Sequence, residues 1–210
     1  MDNLDRRIIA ILRQNPDISL SKIGQKLGIS HVAVRKRLLK LKSSGLLRMM
    51  PTLNIEKLGY KIALIMAEVG GPKQLHKLFT IFKDCPRMIF LSTCIGQYNV
   101  VSMMYAEDSN TLESVIGFCS FRTHDIIRKS EVLILGVNEI PQYLPIRICP
   151  DEEKQLTIAP CGANCSICKR YNNNKCRGCP LTVYYRELKS SFKTCLLYTS
   201  DAADEGLGVD

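Results

Sequence analysis

Residues 18–48 read ISLSKIGQKLGISHVAVRKRLLKLKSSGLLR. Ser19 is a good N-cap, and Leu20, Ile23 and Leu27 behind it share one face of a short helix that Gly28 ends, its missing Cβ permitting a left-handed turn. Ser30 caps the next helix. Its buried stripe is Val34, Leu38 and Leu41, while Arg35, Lys36, Arg37, Lys40 and Lys42 lie on or beside its exposed side. Upstream, Leu4, Ile8, Ile9 and Leu12 recur at helical spacing until Asn15-Pro16-Asp17 breaks the pattern, so a first helix is expected from Leu4 to Gln14. Gly24, inside the short helix at a cost of about 1 kcal/mol relative to Ala, implies that another helix crosses close to its backbone.

Helix, short helix, four-residue turn and basic helix make a helix-turn-helix, whose last helix fits the major groove of DNA. No acidic residue occurs between Ser30 and Arg48. A merely solvated basic face tolerates acids, whereas phosphate neutralisation requires one sign. His31, Val32, Arg35 and Lys36 are the candidates for reading base edges. Arg37, Lys40 and the Ser30 cap are assigned to phosphates, which position without specifying. After Gly45, LLRMMPTLNI has the short, apolar, Pro-containing look of a β-hairpin wing, giving a winged helix-turn-helix over residues 1–54.

The next segments switch to strand patterning. Tyr60 to Val69 is nearly continuous apolar, as in a strand covered on both faces. Further strands are expected at Met88 to Thr93, at Asn99 to Tyr105 after the Gly96-Gln97-Tyr98 turn, and from Val132, with helices at Lys73 to Phe82 and Asn110 to Cys119. The order βαββαβ over residues 55–140 is the ferredoxin-like unit, an antiparallel sheet with helices on one face. Its other face needs cover, and a second copy is the simple solution, favouring a homodimer or a higher assembly of dimers. His124 and Asp125 stand as a lone loop pair without a third catalytic partner.

Leu4-Asp5, Ile18-Ser19, Ile23, Leu27-Gly28-Ile29-Ser30, Val34, Arg37, Leu41, Gly45-Leu46-Leu47 and Glu56-Lys57-Leu58-Gly59-Tyr60 together resemble the Lrp/AsnC family of prokaryotic transcription regulators, over about residues 3–140. The resemblance implies a winged helix-turn-helix joined to a βαββαβ sensor domain that dimerises and, in many members, binds an amino acid. It also implies an effector pocket helped by the glycine turn between the second and third strands, here Gly96, Gln97, Tyr98 and Asn99. Asn99 stands where the family often has an acidic residue, which weakens the case for binding an α-amino group there.

Past Glu139 the chain departs from that pattern. A Pro-rich linker is expected over 141–159, followed by a Cys-rich module over 160–194 with C-x3-C-x2-C-x7-C-x2-C spacing: Cys161, Cys165, Cys168, Cys176 and Cys179. Two CxxC knuckles, Cys165/Cys168 and Cys176/Cys179, can present four thiolates to a tetrahedral zinc ion. The spacer is short for a zinc ribbon and Cys161 is surplus, so an iron-sulfur cluster stays open, with a redox-active dithiol third. Cys161, Cys165 and Cys168 also match the triplet of radical enzymes that bind an iron-sulfur cluster, but no barrel accompanies it. Cys85, Cys94, Cys119 and Cys149 sit among apolar neighbours and read as core thiols.

The whole is an α+β chain of 210 residues, 46% hydrophobic and 23% charged, net +9. It lacks a stretch long and apolar enough to span a bilayer and a signal-peptide pattern, so a cytoplasmic location with reduced thiols is expected. The closing residues 195–210, CLLYTSDAADEGLGVD, resemble the in-frame translation of a transposon-type sequencing adapter and are read as a non-native tail. Without their four acids the chain carries 29 basic against 16 acidic residues, net +13. Only three His are present and no carboxylate/His constellation accompanies the cysteines, so an enzyme is not expected. The expectation is a regulator that binds double-stranded DNA in a sequence-specific manner, modulated by a small effector or by the metal site. The alternative is an iron-sulfur or thiol redox protein with a basic docking domain.

Overall fold

The computed structural model describes residues 1–119, 121–136 and 141–188. The adapter-like segment 195–210 lies outside them. The chain divides into two compact units, one up to Thr52 and one from Leu53 onward.

The first unit is three helices: α1 (Asn3–Gln14), α2 (Leu20–Leu27) and α3 (His31–Ser43). Asp2 and Asp5 form a reciprocal capping box on α1, Ser19 caps α2 through Lys22 N–H, and Ser30 caps α3 through Ala33 N–H. Ile8, Ile23, Val34 and Leu38 make the core, with Leu12, Leu20, Leu27 and Leu47 packed around it. Gly28 closes α2 at φ 68°, and three residues rather than four connect α2 to α3. Gly24 is explained differently from expectation. Its backbone is approached by the α2–α3 turn, where an added Cβ would stand 2.5 Å from the Ile29 carbonyl oxygen, and not by the flank of another helix. The wing also needs correction. Residues 45–52 hold no strand; Leu53–Asn54 is a strand, but it pairs with Tyr143–Leu144 of the second unit. Pro51 interrupts the ladder, and an isolated two-stranded hairpin with Leu46, Met49 and Met50 exposed would bury too little apolar surface to stand alone.

In the second unit β1 (Leu53–Asn54) and α4 (Ile55–Leu58) precede β2 (Lys61–Val69), α5 (Pro72–Phe82), β3 (Met88–Thr93), β4 (Val100–Ala106), α6 (Ser109–Gly117) and β5 (Ile127–Leu135). The sheet order is β3-β4-β2-β5, antiparallel throughout. This is the expected βαββαβ arrangement. The last strand is longer than expected: β5 starts at Ile127, not Val132, its polar first half Arg128-Lys129-Ser130-Glu131 pairing along β2 as far as Val69. Ala63, Ile65, Ala67 and Val69 line the core face together with Leu78, Phe82, Val100, Met104, Leu112, Val115 and Phe121.

The opposite face is covered at one end by Ile55, Leu144 and Ile146, against Ile62 and Tyr105. Beyond that cover the registered row Phe90, Met103, Leu64 and Leu133 is half-buried or exposed, so β2 is not enclosed on both faces within one chain. The stretch expected as a linker is structured in part: β6 (Tyr143–Leu144) pairs with β1, and Ile146, Cys149 and Ala159 are buried. A single 3-10 turn at Asp151–Glu153 and the short α7 (Lys169–Asn172) complete the described elements. No helix among the described residues is long and apolar enough to cross a membrane.

Candidate functional site

On α3 the side chains of His31, Val32, Arg35, Lys36, Lys40 and Lys42 are exposed, while Val34, Leu38 and Leu41 are buried. The helical repeat thus sorts the sequence into a packed stripe and a basic outer face. The Ser30 hydroxyl accepts from Ala33 N–H at 3.1 Å, holding the first turn of α3. Arg37, expected on the phosphates, has a different position. Its guanidinium bonds Asp2 at 2.6 Å and Asp5 at 2.8 Å, clamping α3 to the capping box of α1. That pairing was invisible in the sequence, since an acidic box at one end of the unit does not announce which of several distant arginines will meet it.

Both carboxyls lie below the usual carboxylate value of 3.8, first because each accepts a backbone N–H of the capping box and second because of Arg37. A lowered carboxyl contributes stability that is present above its ordinary value and is lost as pH falls through the lowered one. The stability gap between the native chain and Arg37→Ala should therefore shrink on acidification below about pH 4, which thermal unfolding of both proteins across pH will show.

The turn expected to help hold an effector spends its polar groups on the chain itself. The Asn99 amide donates to the Val69 carbonyl at 2.8 Å and accepts from Val69 N–H at 2.9 Å, continuing the β2–β4 ladder as a backbone would. Tyr98 donates to Glu131 at 3.1 Å, and Gly96 and Gln97 are exposed. His124 pairs with its neighbour Asp125 at 2.5 Å.

The cysteines converge on one place. Cys161, Cys165, Cys168, Cys176 and Cys179 all line a cavity of about 150 Å³, and Cys85 and Cys119, read from sequence as core thiols, line it too. Met104, Val115, Phe118 and Tyr171 supply apolar wall. Among the described residues no three His, Cys, Asp or Glu side chains stand together as a group that could hold a metal ion. Burial pushes the Cys85 thiol up to about 11 and the Cys179 thiol up to about 12; Cys119 is raised by its hydrogen bond with Cys161 and by burial.

The Cys-rich segment is docked, not tethered. Arg87 forms a buried ion pair with Glu107 at 2.5 Å and donates to the Gly178 carbonyl at 2.7 Å; Tyr185 donates to the other Glu107 oxygen at 2.7 Å. Arg177 meets Asp108, the α6 cap, at 2.5 Å, and Ser114 on α6 donates to the Lys175 carbonyl at 2.8 Å. Gly178, at φ 82°, is held against the Tyr184 carbonyl, which an added Cβ would approach to 2.7 Å. The partners stand 61 to 91 positions apart, so no local spacing announced this docking.

A three-helix unit with a basic, acid-free outer helix, followed by a βαββαβ domain, defines a helix-turn-helix DNA-binding regulator with an α+β second domain. Residues 1–42 match the AsnC-type helix-turn-helix domain. A helix-turn-helix transcriptional regulator of Pyrococcus furiosus is 28% identical over 149 residues, covering 68% of this chain and 96% of its own. The regulator LrpA of Pyrococcus horikoshii is 29% identical over 119 residues, covering 55% and 83%. Among solved structures, E. coli AsnC superposes with a TM-score of 0.59 at 22% identity, over 67% of this chain and 95% of its own. A transcriptional regulator of Neisseria meningitidis, solved as a complex with L-Met, superposes with a TM-score of 0.58 at 17% identity over 67% and 92%. Its helix-turn-helix is thus of the AsnC type, and the chain is similar to helix-turn-helix transcriptional regulators, LrpA and AsnC among them.

Proposed function

We propose that this regulator binds double-stranded DNA through α3 as a dimer, and that the Cys-lined cavity of the second unit is where a thiolate-held metal controls it. The observation that carries the DNA reading is the outer face of α3, where His31, Val32, Arg35, Lys36 and Lys40 are all exposed in a segment without one acid. In this reading Arg35 and Lys36, exposed near the helix start, read base edges with His31 and Val32, and Lys40 contacts phosphate. Dimerisation is supported by the half-exposed apolar row Phe90, Met103, Leu64 and Leu133 on the uncovered sheet face. A two-fold pair of recognition helices then matches a palindromic operator.

An amino-acid effector has weaker support. A structural neighbour was solved with L-Met, but here Asn99 is committed to the Val69 backbone. The Cys cavity is the better entry point for a signal, transmitted as a coupling free energy between it and DNA.

Gel shifts of the full chain on its own promoter against scrambled DNA test the reading. With 6–10 phosphate contacts the affinity should drop about 10³ to 10⁵-fold between about 50 and 200 mM salt. Absent or salt-insensitive binding refutes it.

A further inference from the structure

α3 ends at Ser43, and Gly45, at φ 72°, turns the chain out of it. Leu47 then ties the chain back. Its N–H donates to the Leu41 carbonyl at 3.1 Å, and its side chain packs on the core of Ile8, Ile23, Val34 and Leu38. The residues around it point the other way. Leu46 is 67% exposed, Met49 and Met50 are each 49% exposed, and Arg48 beside them is exposed as well. A run of large apolar side chains left in water is a liability to a fold unless something covers it in use.

The sign of the charge limits what can cover it. Between Asp17 and Glu56 the chain has no acid, and Arg48 adds to the cations of α3. Two copies of such a surface repel each other, whereas a polyanion is drawn to it. Proteins that enter the minor groove use arginine in narrow A·T-rich stretches and apolar wedges such as Leu, Met and Pro between base steps. Leu46, Arg48, Met49, Met50 and Pro51 are those residue types in one exposed segment. The reach also fits. At about 1.5 Å per residue, Leu41 stands about 9 Å along the helix axis from Arg35, and three extended residues beyond Leu47 span about 10 Å more. Successive major and minor grooves lie about 17 Å apart along the duplex, half of a helical turn.

We infer that residues 46–51 enter the minor groove flanking the major groove that α3 reads, with Arg48 along its floor and Met49 and Met50 wedging a base step. This inference rests on the DNA reading of α3 proposed above and adds a second contact to it. The segment is held at both ends, by Leu47 in the first core and by Leu53 in the β1–β6 pair. Only residues 48–52 are left to order on binding, which limits the entropic cost. In the minor groove A·T and T·A present the same acceptors, and G·C adds the guanine N2 amine. The segment therefore distinguishes A·T from G·C in the flank but not A·T from T·A.

Duplexes carrying the footprinted site of the chain's own promoter should be made in three forms, with A·T, G·C or inosine·cytosine pairs on either side of each half-site. Inosine lacks the N2 amine, so its pair with cytosine shows the minor groove of A·T and the major groove of G·C. The full chain and the variants R48A, R13A and M49A/M50A are titrated on each by gel shift. The native chain should lose about tenfold in affinity on the G·C flank, the size of one mismatched base pair, and regain it on inosine·cytosine. R48A should bind all three flanks alike. Arg13, exposed in the last turn of α1, controls for loss of a charge, and R13A should keep the flank preference. Circularly permuted duplexes should show the native chain bending its site and M49A/M50A bending it less; circular dichroism checks that each variant is folded. Equal native affinity on all flanks, loss on inosine·cytosine as well as G·C, or an R48A chain that keeps the preference overturns the minor-groove contact and leaves the α3 reading standing. An unbent native complex overturns the wedge. A native chain that does not bind its promoter overturns both readings.

Discussion

Arg87→Ala should destabilise the second unit by about 3–5 kcal/mol, the loss expected when one partner of a buried ion pair is removed and the other is stranded. The Arg87 and Glu107 side chains are only 4% and 1% exposed. Removing the guanidinium leaves Glu107 with the Tyr185 hydroxyl alone and leaves the Gly178 carbonyl without its donor. It also removes a cation from above the Tyr105 ring, 5.8 Å away. The double variant Arg87→Met with Glu107→Leu should recover only part of the loss. It abolishes the stranded charge, but it orphans the Tyr185 hydroxyl and the Gly178 carbonyl, each worth about 1–3 kcal/mol when buried and unpaired. Urea unfolding gives the energies, and hydrogen exchange at residues 176–185 should rise in the single variant, since Gly178 sits between Cys176 and Cys179. Unchanged stability of Arg87→Ala would mean that the pair contributes nothing to docking.

On α3 the substitutions should separate by role. Arg35→Ala is expected to cost about 1–3 kcal/mol on the true operator and to relax preference at one base position. Lys40→Ala should weaken binding evenly across sequences and reduce the salt slope by about one. Arg37→Ala should act differently from both, lowering the stability of the first unit while leaving base preference as it was, because its partners are Asp2 and Asp5. Titrations of the three variants over a panel of operator mutants at several salt concentrations decide it. An Arg37→Ala protein with normal stability and a reduced salt slope would return Arg37 to the phosphates.

Elements with strong local signals were legible before any coordinates. The caps Ser19 and Ser30, the left-handed Gly28, and the buried stripe Val34, Leu38 and Leu41 are set by residues within a few positions of one another. Strands β3 and β4 were similarly clear, each an apolar run next to a turn signal. What failed lacked a local signature. The segment after Gly45 has the composition of a hairpin, but Leu53–Asn54 finds its partner about ninety residues away at Tyr143–Leu144. The polar start of β5 is a strand because β2 offers it a ladder.

The same division holds for the cysteines. Five of them raised the expectation of a metal site by spacing alone, since CxxC brings two thiols to one turn whatever surrounds it. That Cys85 and Cys119 share their cavity depended on docking by Arg87, Arg177 and Ser114, long-range contacts between groups with no fixed spacing. The amino-acid sequence by itself determined the helix-turn-helix and the βαββαβ order, because periodicity, capping and turn residues act over short range. Only the tertiary structure decided which arginine is a clamp, which strand pairs with Leu53–Asn54 and which thiols face each other, because burial assigns a partner to a charge, a backbone edge or a sulfur only once distant segments have packed.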